Sequence, residues 1–275
     1  MRELTARSPI NDVGNFLMCK WSLWIVLLVT ICAASWSGSN YGEEAPEGNA
    51  RNNDSKGAEK ENKTPAPAGT HYKGRKIAVT MHYTGAPWLV RESREREEEC
   101  STLLKALKLE PNDVVCDLGC GNGFYALPIA KLVPQGKVIG VDIQPEMLQM
   151  LRERARVAKL TNIEPVLGTL ADPKLPSDKV DLVLCVDAYH EFSHPEEMLR
   201  HIRQSLSKKG RLVLVEFREE DPLVPIKPLH KMSKRQILKE LIPNGFKLVE
   251  QFDALPWQHV MFFGRDETYS PPEKK

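Results

Sequence analysis

The chain has no excess of positive charge. Lysine and arginine together number 38 and aspartate and glutamate 37 in 275 residues, which gives a formal net charge of +1. Domains that bind nucleic acid usually present a basic surface to the phosphate backbone. This charge balance therefore argues against a nucleic-acid partner.

The six cysteines are scattered along the chain, and their spacing matches no known framework. The six cysteines form no C-x-x-C pair, and two of them, Cys116 and Cys185, lie inside apolar strand patterns. Cysteine in such positions behaves as a small hydrophobic residue. The sequence therefore predicts neither a disulfide framework nor a metal site.

The N-terminal apolar stretch at 21–34 is short of the about 20 residues that span a bilayer comfortably. Lys20 precedes it and small residues follow it, which is typical of a signal peptide. We predict a signal peptide at residues 1–36, with an uncleaved membrane anchor as the alternative. Any membrane association is expected through residues 20–36 only.

Residues 37–70 are rich in Gly, Ser, Asn, Glu, Pro and Ala, and Tyr41 is their only large apolar residue. Such a segment buries too little apolar surface to offset the entropy lost on ordering. The composition predicts a disordered linker ahead of a domain at 71–275.

A glycine-rich turn follows the first apolar strand of that domain. The strand carries Asp117 near its end, and Gly119, Gly121 and Gly123 follow at every second position. Glycine lets a backbone take φ > 0 and approach a ligand closely. The dinucleotide fingerprint is G-x-G-x-x-G, so the spacing differs. The carboxylate would repel a pyrophosphate but suits a cationic ligand.

A second apolar strand, at 137–142, ends in another acid. Asp142 lies 19 residues after Gly123. An acid at the end of the second strand of a doubly wound sheet is placed to accept both hydroxyls of a ribose. The order and spacing of the two motifs predict a nucleoside-like cofactor.

In these two motifs the chain resembles the class I S-adenosylmethionine (SAM) methyltransferases. The resemblance implies an α/β, Rossmann-like sheet of seven strands with helices on both faces and the last strand antiparallel. It implies SAM as the cofactor, with Asp142 on the ribose and Ile143 beside the adenine. The cofactor-binding residues it assigns are Asp117, Gly119, Gly121, Gly123, Asp142, Ile143 and Asp172.

Periodicity places the elements of this domain. We predict strands at 113–118, 137–142, 162–167, 180–187, 211–217, 246–251 and 258–263. A helix is predicted over 92–108, and its initial charge run is expected to form a solvated face. Pro128 is tolerable in the next helix only within its first turn.

Asp172 has two interpretations. Related proteins often place an acid after strand three, near the adenine amino group, and Thr169 stands at that position here. Either Asp172 or the backbone of Leu170 takes the role, or Asp172 is a turn residue beside Pro173.

The end of strand four, Asp187-Ala-Tyr-His-Glu191, is expected to face the acceptor. It lacks the Asn/Asp-Pro-Pro-Tyr motif of enzymes that methylate DNA bases, and it looks like small-molecule methyltransferases near the quinone-biosynthesis group. The catalytic candidates are Asp187, Tyr189 and His190. His190 is the candidate base, because an imidazole pKa of about 6.5 suits proton removal. The alternative is that His190 only holds an N-terminal cap.

The sequence thus predicts a SAM-dependent methyltransferase acting on a small molecule. A non-catalytic SAM-binding module at the cell envelope and a nicotinamide-dependent oxidoreductase are the alternatives. The signal-like segment predicts a location at the cell envelope. Because SAM is made in the cytosol, a cytoplasmic location is the alternative.

Overall fold

A computed structural model describes residues 69–271. The predicted signal peptide or anchor at 1–36 and nearly all of the predicted linker at 37–70 lie outside the described residues. Among the helices that are described, none has the length and apolar character needed to cross a membrane.

The described chain begins with a segment of short elements and continues as alternating strands and helices. The first segment contains β1 (His71–Tyr72), β2 (Arg75–Lys76), α1 (Ala86–Leu89), α2 (Arg94–Glu98) and α3 (Cys100–Ala106). The alternating part contains β3 (Val114–Leu118), α4 (Ala126–Leu132), β4 (Lys137–Asp142), α5 (Pro145–Val157), β5 (Ile163–Leu167), β6 (Val180–Val186), α6 (Pro195–Ser205), β7 (Leu206–Arg218), β8 (Lys231–Met232), α7 (Lys234–Leu241), β9 (Phe246–Phe252) and β10 (Gln258–Arg265).

The main sheet has the strand order β5-β4-β3-β6-β7-β10-β9, and β8 pairs with β7. The pairs among β3, β4, β5, β6 and β7 are parallel, whereas β10 is antiparallel to both β7 and β9. The predicted α/β sheet with an antiparallel last strand is confirmed. Its strands lie within a few residues of the predicted ranges, except that β7 begins earlier.

Helices cover both faces of the sheet because its strands are apolar on both sides. Leu103 of α3, Ile129 of α4 and Leu151 of α5 pack with Val115 on one face. The helices α6 and α7 contribute to the core on the other face, with Cys116 of the same strand. Adjacent residues of β3 thus enter opposite cores, as the pleat of a strand requires.

The predicted helix over 92–108 is broken, and its charge run is not a solvated face throughout. Glu99 has φ +47° and separates α2 from α3. Arg94 and Glu98 are 5% and 1% exposed and lie one helical turn apart, so they share the face of α2 that points inward. The prediction was wrong at these two positions because each charge neutralises the other. Pro128 is the third residue of α4, as expected.

A buried ion pair ties the N-terminal segment to α7. Arg75 donates from Nε and Nη2 to the two carboxylate oxygens of Glu240, at 2.8 and 3.0 Å. Tyr189 donates its hydroxyl to the same carboxylate at 2.8 Å, and Glu240 is fully buried. Arg75 also donates from Nη1 to the His190 carbonyl at 2.8 Å, so the pair fixes the segment above the end of β6.

Replacing Glu240 by Gln should destabilise the fold strongly, because Arg75 would keep a buried charge without its partner. We expect a loss of about 3–5 kcal/mol in the free energy of unfolding, measured by urea denaturation. Glu250→Gln is the matched control. Glu250 pairs with Lys108 at the exposed surface, and its loss should cost about 0–1 kcal/mol. Equal losses of stability for the two substitutions would show that the buried Arg75–Glu240 pair does not stabilise the fold in this way.

Candidate functional site

A cavity of about 580 Å³ lies at the carboxyl edge of the sheet, where β3, β4 and β6 end. The chain proceeds from β3 to β4 and β5 in one direction and to β6 on the other side, so this edge is a topological switch point. Open α/β sheets bind their ligands at such points. The volume lies in the range of small-molecule pockets, about 300–1,000 Å³.

The N-terminal segment roofs the cavity. The Gln144 side chain, just beyond β4, accepts the backbone N–H of Tyr83 at 2.7 Å and donates to the carbonyl of Met81 at 2.9 Å. Thr80, Met81 and Trp88 contribute to the lining. The predicted N-terminal cap is therefore held directly over the end of β4.

The glycine turn forms one wall of the cavity. Gly119 and Gly121 line it with φ of +76° and +51°, a region that side chains rarely tolerate. A Cβ on Gly119 would lie 2.9 Å from the Cβ of Ala188. Gly123 is not a lining residue, because the position that a Cβ would occupy there faces Leu151 of α5. The third glycine permits helix packing instead.

Asp142 closes β4 beside this turn and lines the cavity. Its Oδ2 accepts the N–H of Gly121 and its Oδ1 accepts the N–H of Gln144, each at 2.9 Å. Burial raises the pKa of Asp142, and these N–H donors oppose the shift. A carboxylate has about four acceptor positions, so acceptor capacity remains for a ligand. Ile143 also lines the cavity, as the prediction for an adenine neighbour requires.

Asp117 is buried beneath the glycine turn and is not among the lining residues. Its carboxylate accepts the N–H of Ala126 at the start of α4, and Oδ2 has no hydrogen-bond partner within residues 69–271. Burial raises the pKa of Asp117 to about 7. Direct contact with a ligand in the cavity, as predicted, is not what the geometry favours.

Asp172 also lies outside the cavity lining. Its Oδ1 accepts the N–H of Lys174 at 2.7 Å, and its carbonyl accepts the N–H of Thr169 at 2.8 Å. This geometry is that of a turn residue, the second of the two interpretations above. Thr169 and Leu170 line the cavity in its place.

Two acids meet at the base of the cavity. Asp187 and Glu98 both line it, and the Gln258 amide donates to Asp187 Oδ2 at 2.9 Å and to Glu98 Oε2 at 3.3 Å. Arg94 Nε donates to Glu98 at 2.9 Å. Asp187 Oδ1 is buried and lacks a hydrogen-bond partner in the described part of the chain. Burial, reinforced by Glu98, raises the pKa of Asp187 well above its usual range.

His190 lines the cavity, but both of its ring nitrogens are engaged. Nδ1 lies 2.7 Å from Oε2 of the fully buried Glu216, and Nε2 lies 3.0 Å from Nδ1 of His230. Burial opposes protonation, yet Glu216 outweighs it, so the pKa of His190 is raised. The His190 carbonyl accepts the N–H of Ala78 at 3.1 Å, which supports the alternative that His190 holds the cap.

Glu191 and His230 lie beside His190 at the cavity wall. Glu191 Oε1 is 3.9 Å from His190 Nε2, and it accepts the N–H of Met81 at 3.3 Å. Burial raises the pKa of Glu191 to about 7, whereas burial and the neighbouring His190 lower the pKa of His230.

The remaining catalytic candidate lies outside the cavity lining. Tyr189 is fully buried, donates its hydroxyl to Glu240 and does not line the cavity. Glu98 was missed in the sequence, and its spacing of four residues from Arg94 was the signal that could have revealed a buried pair.

Comparison with known proteins places the domain in a family. The methyltransferase domain family matches residues 109–260. An uncharacterized methyltransferase of Bacillus subtilis, YcgJ, is 29% identical over 166 residues, or 59% of this chain and 65% of that protein. Demethylmenaquinone methyltransferase of Deinococcus radiodurans is 31% identical over 113 residues, or 41% of this chain and 46% of that protein.

A solved structure supports the fold. A SAM-dependent methyltransferase from Aquifex aeolicus superposes with a TM-score of 0.63 at 22% identity, over 67% of this chain and 98% of that one. The chain covers just under two thirds of the YcgJ protein and less than half of the Deinococcus protein. The chain belongs to the class I SAM-dependent methyltransferases, and the cofactor of its domain is S-adenosylmethionine.

Asp117→Asn should change how stability depends on pH. The pKa of Asp117 in the folded protein is about 7, above the ordinary value of 3.8. The stability that the protonated carboxyl contributes is therefore fully present below about pH 4 and is lost as the pH rises through 7. Relative to the native chain, the variant should therefore gain stability between pH 4 and 8. The gain should be roughly 1–4 kcal/mol, since one unit of pKa difference is worth about 1.4 kcal/mol.

The measurement is chemical denaturation of both proteins at a series of pH values. Asp172→Asn, which removes a carboxylate from a half-buried turn, is the control for the substitution itself. A stability difference for Asp117→Asn that stays constant across this range would contradict the assignment.

Proposed function

We propose that this protein transfers the methyl group of SAM to a small-molecule acceptor bound in the same cavity. One observation carries the proposal. The Asp142 carboxylate and the open glycine turn meet at the switch-point cavity of a domain that belongs to this family. The expected absence of a nucleic-acid partner remains part of the proposal.

The residues present fit the cofactor. SAM carries a ribose, an ammonium group and a sulfonium, so it needs hydroxyl acceptors and a negative environment. Asp142 has acceptor positions left for the ribose hydroxyls. Asp187 offers a buried oxygen without a partner among the described residues, and Glu98 adds a second acid beside it. We propose that Asp187, rather than Asp117, faces the cationic end of the cofactor.

When bound, SAM supplies a methyl group on a good leaving group. The contribution of the protein is then positioning and the exclusion of water. The cap provides both, because residues 80–89 roof the cavity and Gln144 fixes them over β4. Asp142 and the glycine turn set the position of the cofactor relative to the acceptor end of the cavity.

The acceptor end is mixed in character. Phe192, Phe217 and Ile226 provide apolar surface, and His190, Glu191 and His230 provide polar groups beside it. This combination suits a small acceptor with an apolar body and a polar reacting group. The Deinococcus relative is named for an acceptor with a large apolar body, a demethylmenaquinone.

The base role of His190 stays a prediction. Its Nδ1 faces Glu216 and its Nε2 faces His230, so neither nitrogen is open to an acceptor in this arrangement. The geometry favours His190 as a group that organises the acceptor end of the cavity rather than one that takes the proton directly.

Asp142→Ala should weaken SAM binding by about tenfold to a hundredfold, because hydrogen bonds to a charged acceptor are worth roughly 1.5–3 kcal/mol each. Isothermal titration calorimetry with SAM measures the change. Asp172→Ala is the matched control, since this acid lies outside the cavity and its removal should leave the affinity unchanged. Equal SAM affinity of the native and Asp142→Ala proteins, with both folded, would contradict the role of Asp142 in holding the ribose.

Two further measurements separate the alternatives. Titration with NAD in place of SAM should show no binding, and binding of NAD alone would favour the oxidoreductase. Labelled-methyl transfer to a panel of hydroxylated aromatic compounds and quinols tests catalysis. SAM binding without transfer to any acceptor, including extracts of the source organism, would favour the non-catalytic module.

A further inference from the structure

We propose that His190, Glu191 and His230 form a binding site for one divalent transition-metal ion at the acceptor end of the cavity. The sequence analysis predicted no metal site, and His230 lies 40 residues from His190 with no motif that joins them. The use of the ion in catalysis rests on the function proposed above, whereas its binding does not.

The three side chains converge on one point. Nε2 of His190, Nδ1 of His230 and a carboxylate oxygen of Glu191 all lie within 4.8 Å of one another. The two nitrogens are 3.0 Å apart. Two imidazoles on one ion, with metal–nitrogen bonds of about 2.1 Å, have their nitrogens about 3.0–3.4 Å apart. The histidines are therefore already at the separation that a shared ion requires.

Glu191 completes the set with a small movement. Its Oε1 lies 3.9 Å from His190 Nε2, against the roughly 3 Å expected between ligands on one ion. Its hydrogen bond from the Met81 N–H is long, at 3.3 Å, so the carboxylate is lightly held. A movement of this carboxylate toward the two imidazoles brings the oxygen into place.

Glu216 gives His190 the orientation of a metal ligand. Its Oε2 lies 2.7 Å from His190 Nδ1, and its Oε1 accepts the N–H groups of Tyr189 and His190. A histidine that ligates a metal almost always donates its other ring N–H to a carboxylate or carbonyl. This contact places the proton on Nδ1 and leaves the lone pair of Nε2 directed at the cluster.

The fold holds the three ligands from two sides. His190 and Glu191 lie in the turn Tyr189–Glu191 after β6, and His230 ends the turn Pro228–His230 before β8. β8 pairs in parallel with β7, the strand that carries Glu216, with Lys231 opposite Phe217. All three ligands line the cavity, so an ion held by them keeps open positions toward an acceptor.

The donor set selects the class of ion. Imidazole nitrogens suit Zn²⁺, Fe²⁺, Co²⁺ and Ni²⁺, whereas Mg²⁺ and Ca²⁺ prefer oxygen ligands. The set of two histidines and one carboxylate with open positions is known from zinc and non-haem iron sites. A hydrogen bond between the two histidines accounts for the 3.0 Å contact, whereas the carboxylate beside them and the open side on the cavity are features that a metal site also needs.

Such an ion would act on the acceptor. A hydroxyl oxygen of the acceptor that binds the ion loses its proton to water more readily, because a bound cation lowers the pKa of its ligand. The oxygen lone pair then forms a bond to the methyl carbon as the carbon–sulfur bond breaks, and the electron pair of that bond stays on the sulfur. The site therefore favours acceptors with a hydroxyl group as the reacting atom.

The test is ion binding by the full chain, purified without a polyhistidine tag and treated with a chelator. Zn²⁺ is titrated by calorimetry, and Co²⁺ by its visible absorption spectrum. We expect one ion per chain and no comparable binding of Mg²⁺. His230→Gln and Glu191→Gln should each weaken Zn²⁺ binding by roughly tenfold to a hundredfold or more. Thermal unfolding confirms that each variant is folded.

His201→Gln is the matched control, since His201 lies on α6 outside the cavity and should leave the affinity unchanged. The proposal is overturned if the native chain binds no Zn²⁺, or if the two cavity variants bind it as tightly as the native chain and the control. SAM titrations of the same samples keep the proposals apart. A chain that binds SAM but no ion rejects this inference alone, and one that binds an ion but no SAM rejects the proposed function.

Discussion

The buried carboxylate of Glu216 organises the acceptor end of this protein. A charge with no exposure to solvent is stable only if its oxygens are hydrogen-bonded, and Glu216 receives two backbone N–H groups and one imidazole nitrogen from residues 189 and 190. Those contacts fix the turn after β6. The His190 carbonyl can then receive Arg75 and Ala78, so the cap, the cavity wall and the cluster of His190, Glu191 and His230 all depend on one carboxylate.

A second consequence of burial is the electrostatic character of the cavity. Its lining contains Glu98, Asp142, Asp187 and Glu191, and burial raises the pKa of the last three. Burial makes it unfavourable for these carboxylates to ionise. A bound cationic ligand would oppose this effect, because its positive charge stabilises the ionised form. Glu98, Asp142 and Asp187 lie away from the acceptor end, and our proposal places the cationic end of SAM beside them.

Prediction from sequence was most accurate where one physical rule dominates. The buried parallel strands appear in the sequence as apolar runs, and the predicted bounds of β4 are those observed in the structure. Prediction was least accurate where two charges cancel. Arg94 and Glu98 looked like a solvated face because periodicity treats each charge by itself, whereas the folded chain pairs them in the interior. Asp117, Asp172 and Gly123 were assigned to the cofactor by their place in a motif, but that place does not settle whether a residue faces the cavity.

The sequence by itself determined the fold class, the family and the two cofactor motifs, because these depend on local order: apolar strands, glycines at fixed spacing and acids at strand ends. Only the tertiary structure decided which acids face the cavity, that both nitrogens of His190 are engaged, and that His230 lies against it. These are contacts between residues 26 to 40 positions apart in the chain. They follow from the pairing of β7 with β6 and β8, a long-range choice that no local pattern encodes.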